Sequence, residues 1–157
     1  MAGISANQVN PFLIAATTIL KQVCQIDAKV GKPSLEGTKG KNNTIAINIC
    51  VTGEMQGQAM IAFEHEIACD IASRMCMMPI TEMDDLSKSA ICELGNMIVG
   101  NAATVFSTQG TIIDITPPTL VNGDVLFSPV YNHSICVPVV YEDNKIIEIH
   151  VAVKGND

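Results

Sequence analysis

The sequence has little positive charge. Lys and Arg number 9 against 16 Asp and Glu, the net charge is −7, and only 16% of the 157 residues are charged. The lysines between positions 29 and 41 are scattered through a Gly-rich stretch and form no basic stripe. Because nucleic-acid binding needs a basic surface, we expect no nucleic-acid partner. An acidic surface suits a neutral or basic protein partner.

The sequence also lacks the polar composition that is typical of disordered chains. Apolar residues make up 48% of the sequence. A chain of this length is the size of one domain and buries about 68–70% of its unfolded surface. We therefore predict a single domain over residues 1–157.

No metal-binding or disulfide pattern is visible. The six cysteines contain no CxxC, most of them lie in apolar runs, and the three histidines are far from one another. Structural zinc sites typically have Cys and His at short spacing, so we predict reduced cysteines and no metal site. Folding could still bring distant ligands together.

The N-terminal stretch has neither a basic segment nor a long apolar run. Thr17, Thr18 and Lys21 interrupt its apolar residues. It matches neither a signal peptide nor a membrane span. We expect a cytoplasmic protein that does not associate with membranes.

Helical and strand-like patterns alternate along the chain. The first helix is predicted from near Asn10–Pro11, with proline in its first turn, to near Gln25. Strands over 44–53 and 58–66, joined by the Gly-flanked GEMQG, predict a hairpin. A short helix is predicted over 66–77, with an apolar face formed by Ile67, Ile71, Met75 and Met78. A long helix is predicted from Leu86 to Thr108, with Asp84 or Asp85 as its N-cap. Further strands are predicted at 111–115, 125–130, 134–142 and 145–153, the last two joined by the turn EDNK.

A weak internal repeat relates the two long helices. Residues 9–20 align with 95–106. The identities include Asn10 with Asn96, Ala16 with Ala102 and Thr18 with Thr104. Each helix is followed, after an intervening segment, by a predicted hairpin, at 44–63 and at 134–153. A duplicated helix–hairpin unit would account for this order.

The predicted helix over 86–108 has two unlike faces at 100° per residue. The apolar face holds Ile91, Leu94, Ile98, Ala102 and Val105, and the opposite face holds Ser89, Glu93, Asn96, Gly100, Ala103 and Ser107. A solvated face usually carries good helix formers, and Gly costs about 1 kcal/mol relative to Ala. The small residues therefore favour a surface that a partner approaches closely, with plain solvent exposure as the alternative. Gly95 and Asn101 lie off this face, and no role is predicted for them.

Glu93 and Asn96, one turn apart, are the only longer side chains on the small-residue face. The sequence shows no nucleophile elbow, phosphate loop or Ser–His–Asp motif. An Asn amide both donates and accepts, so it can hold a water in line with a phosphoryl group, as a Gln does in GTPases. A carboxylate one turn away can pair with a partner's Lys. This interpretation places the pair in the active site of another protein.

At these residues the sequence resembles the CheC/CheX family of chemotaxis phosphatases. The family pattern is Asp or Ser, three residues, Glu, two residues and Asn, with a later Pro; here Ser89, Glu93, Asn96 and Pro117–Pro118 match it. AsnProPhe at 10–12 resembles the family's first helix. The element order matches over nearly the whole chain. The motif occurs once, since Asn7 stands in the first half where Glu93 stands in the second, and this is closer to the CheX-like members.

The resemblance implies an α+β fold, with two long helices packed on an antiparallel sheet and pseudo-symmetric duplicated helix–hairpin units. It implies a hydrolase that removes the phosphoryl group from the aspartate of a CheY-like response regulator. Asn96 would position the attacking water, Glu93 would pair with the regulator's Lys, and Ser89, Gly100 and Ala103 would contact the regulator. No cofactor of its own is expected, because the regulator would supply Mg²⁺. CheX-like members form dimers through their sheets, so the resemblance implies a homodimer; the apolar strands would suit this and would equally suit the core of a monomer.

Two further hypotheses stay open. The protein could be a non-catalytic CheX-like binding module in two-component or flagellar signalling, whose small-residue face only docks a partner. It could also be a structural dimer in which Glu93 and Asn96 are buried between subunits.

Overall fold

The described part of the chain forms helices that pack on one antiparallel sheet. The computed structural model describes residues 4–34, 44–122, 133–142 and 144–154. The elements in these ranges are α1 Ala6–Cys24, β1 Lys29–Val30, β2 Thr44–Gly53, β3 Gly57–Glu64, α2 His65–Cys76, α3 Asp85–Thr108, β4 Ile113–Ile115, β5 Thr119–Asn122, β6 His133–Tyr141 and β7 Lys145–Val153. The sheet order is β1-β6-β7-β3-β2-β4, and β5 also pairs with β2. None of these helices is long and apolar enough to cross a membrane.

The two predicted hairpins form the middle of the sheet. Strands β3 and β7 pair antiparallel there, from Gly57↔Val153 to Ala62↔Glu148. In the order β6-β7-β3-β2, the second strand of each hairpin lies at the centre and the first strand lies outside it. The two hairpins therefore occupy equivalent places about the middle of the sheet. The two long helices pack together as well, with the rings of Phe12 and Phe106 edge to face at 5.5 Å between centroids. The predicted α+β fold of duplicated helix–hairpin units is confirmed.

The core lies between the helices and one face of the sheet. Alternate strand residues point to that face. They include Ile45, Ile47, Ile49, Val51, Ala59, Ile61, Phe63, Val139, Tyr141, Ile147, Ile149, Val151 and Val153. Helix α3 contributes Ile91, Leu94, Ile98 and Ala102, each at most 1% exposed, which confirms the predicted apolar face. Val105, predicted on the same face, is only half-buried.

Helix α1 begins earlier than predicted. It starts at Ala6 instead of near Asn10–Pro11, and Pro11 lies inside the helix. The Gln8 side chain accepts a hydrogen bond from the Ser5 amide at 2.9 Å, which satisfies a backbone group at the real start. Proline is typical of the first turn of a helix, but its φ is also compatible with a later helical position at the cost of one hydrogen bond.

Helix α2 ends at Cys76, because Met77 takes the left-handed conformation with φ 56°. Met78 is 50% exposed, so its assignment to the apolar face of this helix is wrong. Ile71 is buried and Ile67 and Met75 are half-buried, as that face requires.

The strand predictions hold for most of the described chain. The strand expected over 111–115 is shorter, at Ile113–Ile115. Strands β1 and β5 had no prediction, since two and four residues are too few to show an alternating pattern. The predicted strand over 125–130 lies outside the described residues, as does Asp143 in the turn that joins β6 to β7.

Helix α3 begins at a well-defined cap. The Asp84 carboxylate accepts hydrogen bonds from the Ser87 hydroxyl at 2.6 Å and from the Ser87 amide at 2.9 Å. These bonds hold the pKa of the Asp84 carboxyl below its ordinary value. Ser87 is buried, so the cap fixes the first turn against the body of the protein. The rotational position of every later residue on α3 follows from that turn.

Candidate functional site

The candidate site lies on the outward face of α3, around Glu93 and Asn96. One helical turn separates the two residues, which places their Cβ atoms about 5–6 Å apart. Glu93 is exposed and Asn96 is half-buried, while the intervening Leu94 and Gly95 are buried. The helix therefore brings the predicted pair together and turns both side chains away from the core.

The side chains of Glu93 and Asn96 make no internal polar contacts in the part of the chain that is described. No hydrogen bond or ion pair joins either of them to another residue there. Stability of the fold therefore gives no reason for an acid and an amide at these positions. The arrangement leaves one carboxylate and one amide with their hydrogen-bonding capacity available to another molecule.

The remaining predicted docking residues lie along the same face. Ser89 is exposed, and Gly100 and Ala103 are half-buried. From Ser89 to Ala103 the face extends about 21 Å at 1.5 Å per residue. A Cβ added at Gly100 would have the Ile115 Cδ1 atom, at 4.0 Å, as its nearest neighbour. Packing within the described chain therefore does not require glycine at this position.

Gly95 has the opposite environment. It is buried, and an added Cβ would lie 2.6 Å from Cγ2 and 3.1 Å from Cβ of Ile47 on β2. Glycine thus allows α3 to approach the sheet closely at the turn that carries Glu93 and Asn96. The sequence pattern did not show this role, because a glycine has no side chain to mark a face. Asn101 is half-buried, and nothing in the described contacts explains it.

A separate polar cluster joins α2 to the β6–β7 hairpin. The Tyr141 hydroxyl donates to Asp70 at 2.6 Å, and Arg74 pairs with the same carboxylate at 3.1 Å. Arg74 and Lys145 also pair with Glu142. Burial, and then the hydrogen bond to Asp70, raise the pKa of Tyr141 above its ordinary value. Every charged group here has an internal partner, so the cluster serves to hold α2 on the sheet.

The fold is shared with solved structures of CheC-like proteins. A CheC-like superfamily protein from Shewanella sp. PV-4 superposes with a TM-score of 0.84 at 24% identity, over 97% of this chain and 100% of that one. A chain of the CheX–CheY–BeF3–Mg²⁺ complex from Borrelia burgdorferi superposes with a TM-score of 0.75 at 29% identity, over 93% of this chain and 97% of that one. The arrangement of helices and sheet described above is therefore that of the CheC-like fold.

The sequence comparisons narrow this class to a family. The family model for the chemotaxis phosphatase CheX matches residues 45–139, a range that includes the whole of α3. The CheY-P phosphatase CheX of Thermotoga maritima is 30% identical over 153 residues, which cover 97% of this chain and 99% of that protein. The chain belongs to the CheX family of chemotaxis phosphatases.

Proposed function

We propose that this protein removes the phosphoryl group from the phospho-aspartate of a CheY-like response regulator. The observation that carries the proposal is the outward-facing pair of Glu93 and Asn96 on a helix face of small residues, in a chain of the CheX family. The names of two relatives support the partner class: one is a CheY-P phosphatase, and the other is part of a complex with CheY, BeF3 and Mg²⁺.

Asn96 positions the attacking water in this proposal. Hydrolysis requires the oxygen of the attacking water to lie in line with the bond between phosphorus and the aspartyl oxygen. It requires little covalent chemistry from the protein. The Asn96 side chain can accept a hydrogen bond from the water through its carbonyl oxygen and donate one through its amide. The helix holds the backbone of Asn96 rigid, so this residue loses little conformational freedom when it orients the water in the complex.

Glu93 pairs with the regulator's active-site Lys. Its carboxylate lies one turn from the Asn96 amide, so the ion pair fixes the direction in which that amide enters the regulator's site. Mg²⁺, which neutralises charge on the transferring phosphoryl group, is held by the regulator. The small residues Ser89, Gly100 and Ala103 let the regulator's backbone come close to α3.

The direct test mixes the purified protein with a response regulator labelled by acetyl phosphate and follows loss of the label. We expect faster loss than from the regulator alone. No acceleration with any CheX-cognate regulator of the same organism would reject the proposal and favour a non-catalytic binding module.

We expect Glu93→Ala to weaken docking more than chemistry. Loss of a charge pair that becomes desolvated in the complex costs about 2–5 kcal/mol, so KM should rise at least about 30-fold. The change in kcat should be smaller. Steady-state dephosphorylation over a range of regulator concentrations separates the two constants.

Two variants control for charge. Glu93→Gln keeps the size of the side chain and should raise KM nearly as much as Glu93→Ala. Glu66→Ala removes an exposed carboxylate from a different helix, α2, and should leave KM unchanged. An unchanged KM for Glu93→Ala would argue against its assigned role.

Gly100→Ala should stabilise the protein and yet impair docking. The added Cβ meets nothing closer than 4.0 Å, so removing a helix-interior glycine should raise the free energy of unfolding by about 1 kcal/mol. A regulator in close contact with this position should bind more weakly, and Gly100→Leu should amplify the loss. Denaturant unfolding and KM measure the two effects. A KM that is unchanged in both variants would place the docked regulator away from Gly100.

We also propose a homodimer, on the strength of the family resemblance. Sedimentation equilibrium of the purified protein measures its mass directly. A monomer at micromolar concentration would contradict this part of the proposal without affecting the assignment of Glu93 and Asn96.

A further inference from the structure

Three potential metal ligands meet on the face of the sheet that points away from the helices. Antiparallel pairing of β6 and β7 places Cys136 directly opposite His150. Glu148 lies two residues before His150 on β7 and so points to the same face. The sequence-based prediction of no metal site relied on spacing along the chain, and the hairpin register brings together residues that this spacing separates.

The three ligand atoms converge on one point. Cys136 Sγ lies 3.6 Å from His150 Nε2, and Glu148 Oε1 lies 3.1 Å from the same Nε2. All three atoms are within 4.8 Å of one another. A ring nitrogen has either one proton or one lone pair in the ring plane, so Nε2 can serve only one of these two neighbours with good geometry. A cation among the three atoms would serve all of them.

The two separations that involve His150 Nε2 are close to those of a tetrahedral zinc site. Zinc binds sulfur at about 2.3 Å, imidazole nitrogen at about 2.0–2.1 Å and carboxylate oxygen at about 2.0–2.2 Å. Tetrahedral angles then put neighbouring ligand atoms about 3.3–3.6 Å apart. The observed 3.6 Å and 3.1 Å are within a few tenths of an ångström of these values. Small side-chain movements would complete the geometry.

The three ligand groups lie in a largely buried environment. Cys136 is 2% exposed and His150 is 7% exposed, while the Glu148 side chain is 16% exposed. Burial, and then the nearby Glu148, raise the pKa of the Cys136 thiol to about 12. A thiol in this environment is a poor nucleophile, which disfavours a catalytic Cys–His pair, and a bound cation would have to displace its proton. The partial exposure of Glu148 leaves a direction from which an ion and a water can enter.

We propose that Cys136, Glu148 and His150 bind one divalent cation of the zinc class, with water at the fourth position. The site lies on the opposite side of the sheet from α3, so it is independent of the proposed phosphatase chemistry. Its direct effect would be to tie β6 to β7. Met60, opposite His150 on β3, offers a thioether to the same face, and thioethers favour Cu(I). Cu(I) is therefore the competing ion that the test must distinguish.

The test titrates the reduced, full-length protein with Zn²⁺ in competition with a chromophoric chelator, and separately with Co²⁺. We expect one Zn²⁺ per chain and, with Co²⁺, a thiolate-to-cobalt charge-transfer band in the near ultraviolet. Cys136→Ser should abolish the band, and His150→Gln and Glu148→Gln should each weaken Zn²⁺ binding at least about 10-fold. Circular dichroism checks that each variant is folded, and Glu148→Gln is the mildest of the three.

Cys69 supplies a matched control. Its Sγ lies 3.5 Å from His65 Nε2, but among the described residues this pair has no third ligand. Cys69→Ser should keep both Zn²⁺ binding and the cobalt band. Absence of Zn²⁺ and Co²⁺ binding in the wild-type protein would overturn the proposal. So would binding that survives Cys136→Ser, or tighter binding of Cu(I) that is lost in Met60→Leu.

Discussion

Asn96→Ala is expected to leave the protein folded and to lower kcat for regulator dephosphorylation by about 10²–10³-fold, the size of effect seen when one positioned polar group is removed from an active site. Asn96 is half-buried and its side chain has no hydrogen bond within the described chain, so its loss should change stability by less than about 0.5 kcal/mol. Single-turnover loss of phosphate from labelled regulator measures the effect on chemistry alone.

The matched control is Asn101→Ala, which makes the same chemical change on the same helix but off the small-residue face. It should leave kcat within about twofold of wild type, in line with a surface substitution that alters stability by less than about 0.5 kcal/mol. Binding of the Asn96→Ala variant to a regulator held in its active form by BeF3 and Mg²⁺ should persist, because Glu93 and the docking face are intact. Dephosphorylation of the regulator by Asn96→Ala at the wild-type rate would contradict the proposed mechanism.

Gly95→Val is expected to have the largest effect on stability. A Cβ at this position would lie 2.6 Å from Cγ2 of Ile47, which is fully buried, so either α3 or β2 must move. Overpacking of a core typically costs about 1–3 kcal/mol, and a β-branched side chain should reach or exceed the upper end. Urea unfolding should show this loss, with Gly95→Ala at the lower end of the range.

A double mutant separates the steric cause from other effects of the substitution. Ile47→Ala removes the clashing Cγ2 atom, so combining it with Gly95→Ala should destabilise by less than the sum of the two single changes. Gly100→Ala is the control on the same helix, where the space is open and stability should rise. A Gly95→Ala variant as stable as wild type would show that α3 can shift at no cost.

Periodicity was enough to predict most of the fold. The long helix α3 and the two central hairpins have many residues in register with their periods, and all three lie within a few residues of their predicted positions. The errors occur where a local signal competes. Pro11 suggested a helix start that a hydrogen bond at Ser5 places earlier, and Met78 follows the residue at which α2 already turns into the left-handed conformation.

The candidate site was partly predictable for the same reason. The 3.6-residue period of a helix predicts that Glu93 and Asn96 face outward and that Leu94 and Ile98 face the core. In the structure Leu94 and Ile98 are buried, Glu93 is exposed and Asn96 is half-buried. The contact of Gly95 with Ile47 and the meeting of Cys136 with His150 were not predictable. Both depend on which residues lie opposite one another, either across two paired strands or between the helix and the sheet. The periodic pattern of the sequence does not show which residues these are.

The edges of the sheet determine which strands are available to pair with other molecules. On one side the outermost described strand, β1, has two residues. On the other side β2 is covered by β4 and β5, two short strands interrupted by Pro117–Pro118. Long unpaired edges recruit strands from other molecules, and short edges broken by proline do not. On the β2 side the described edge is therefore short and interrupted by proline, which limits its pairing with strands of other molecules.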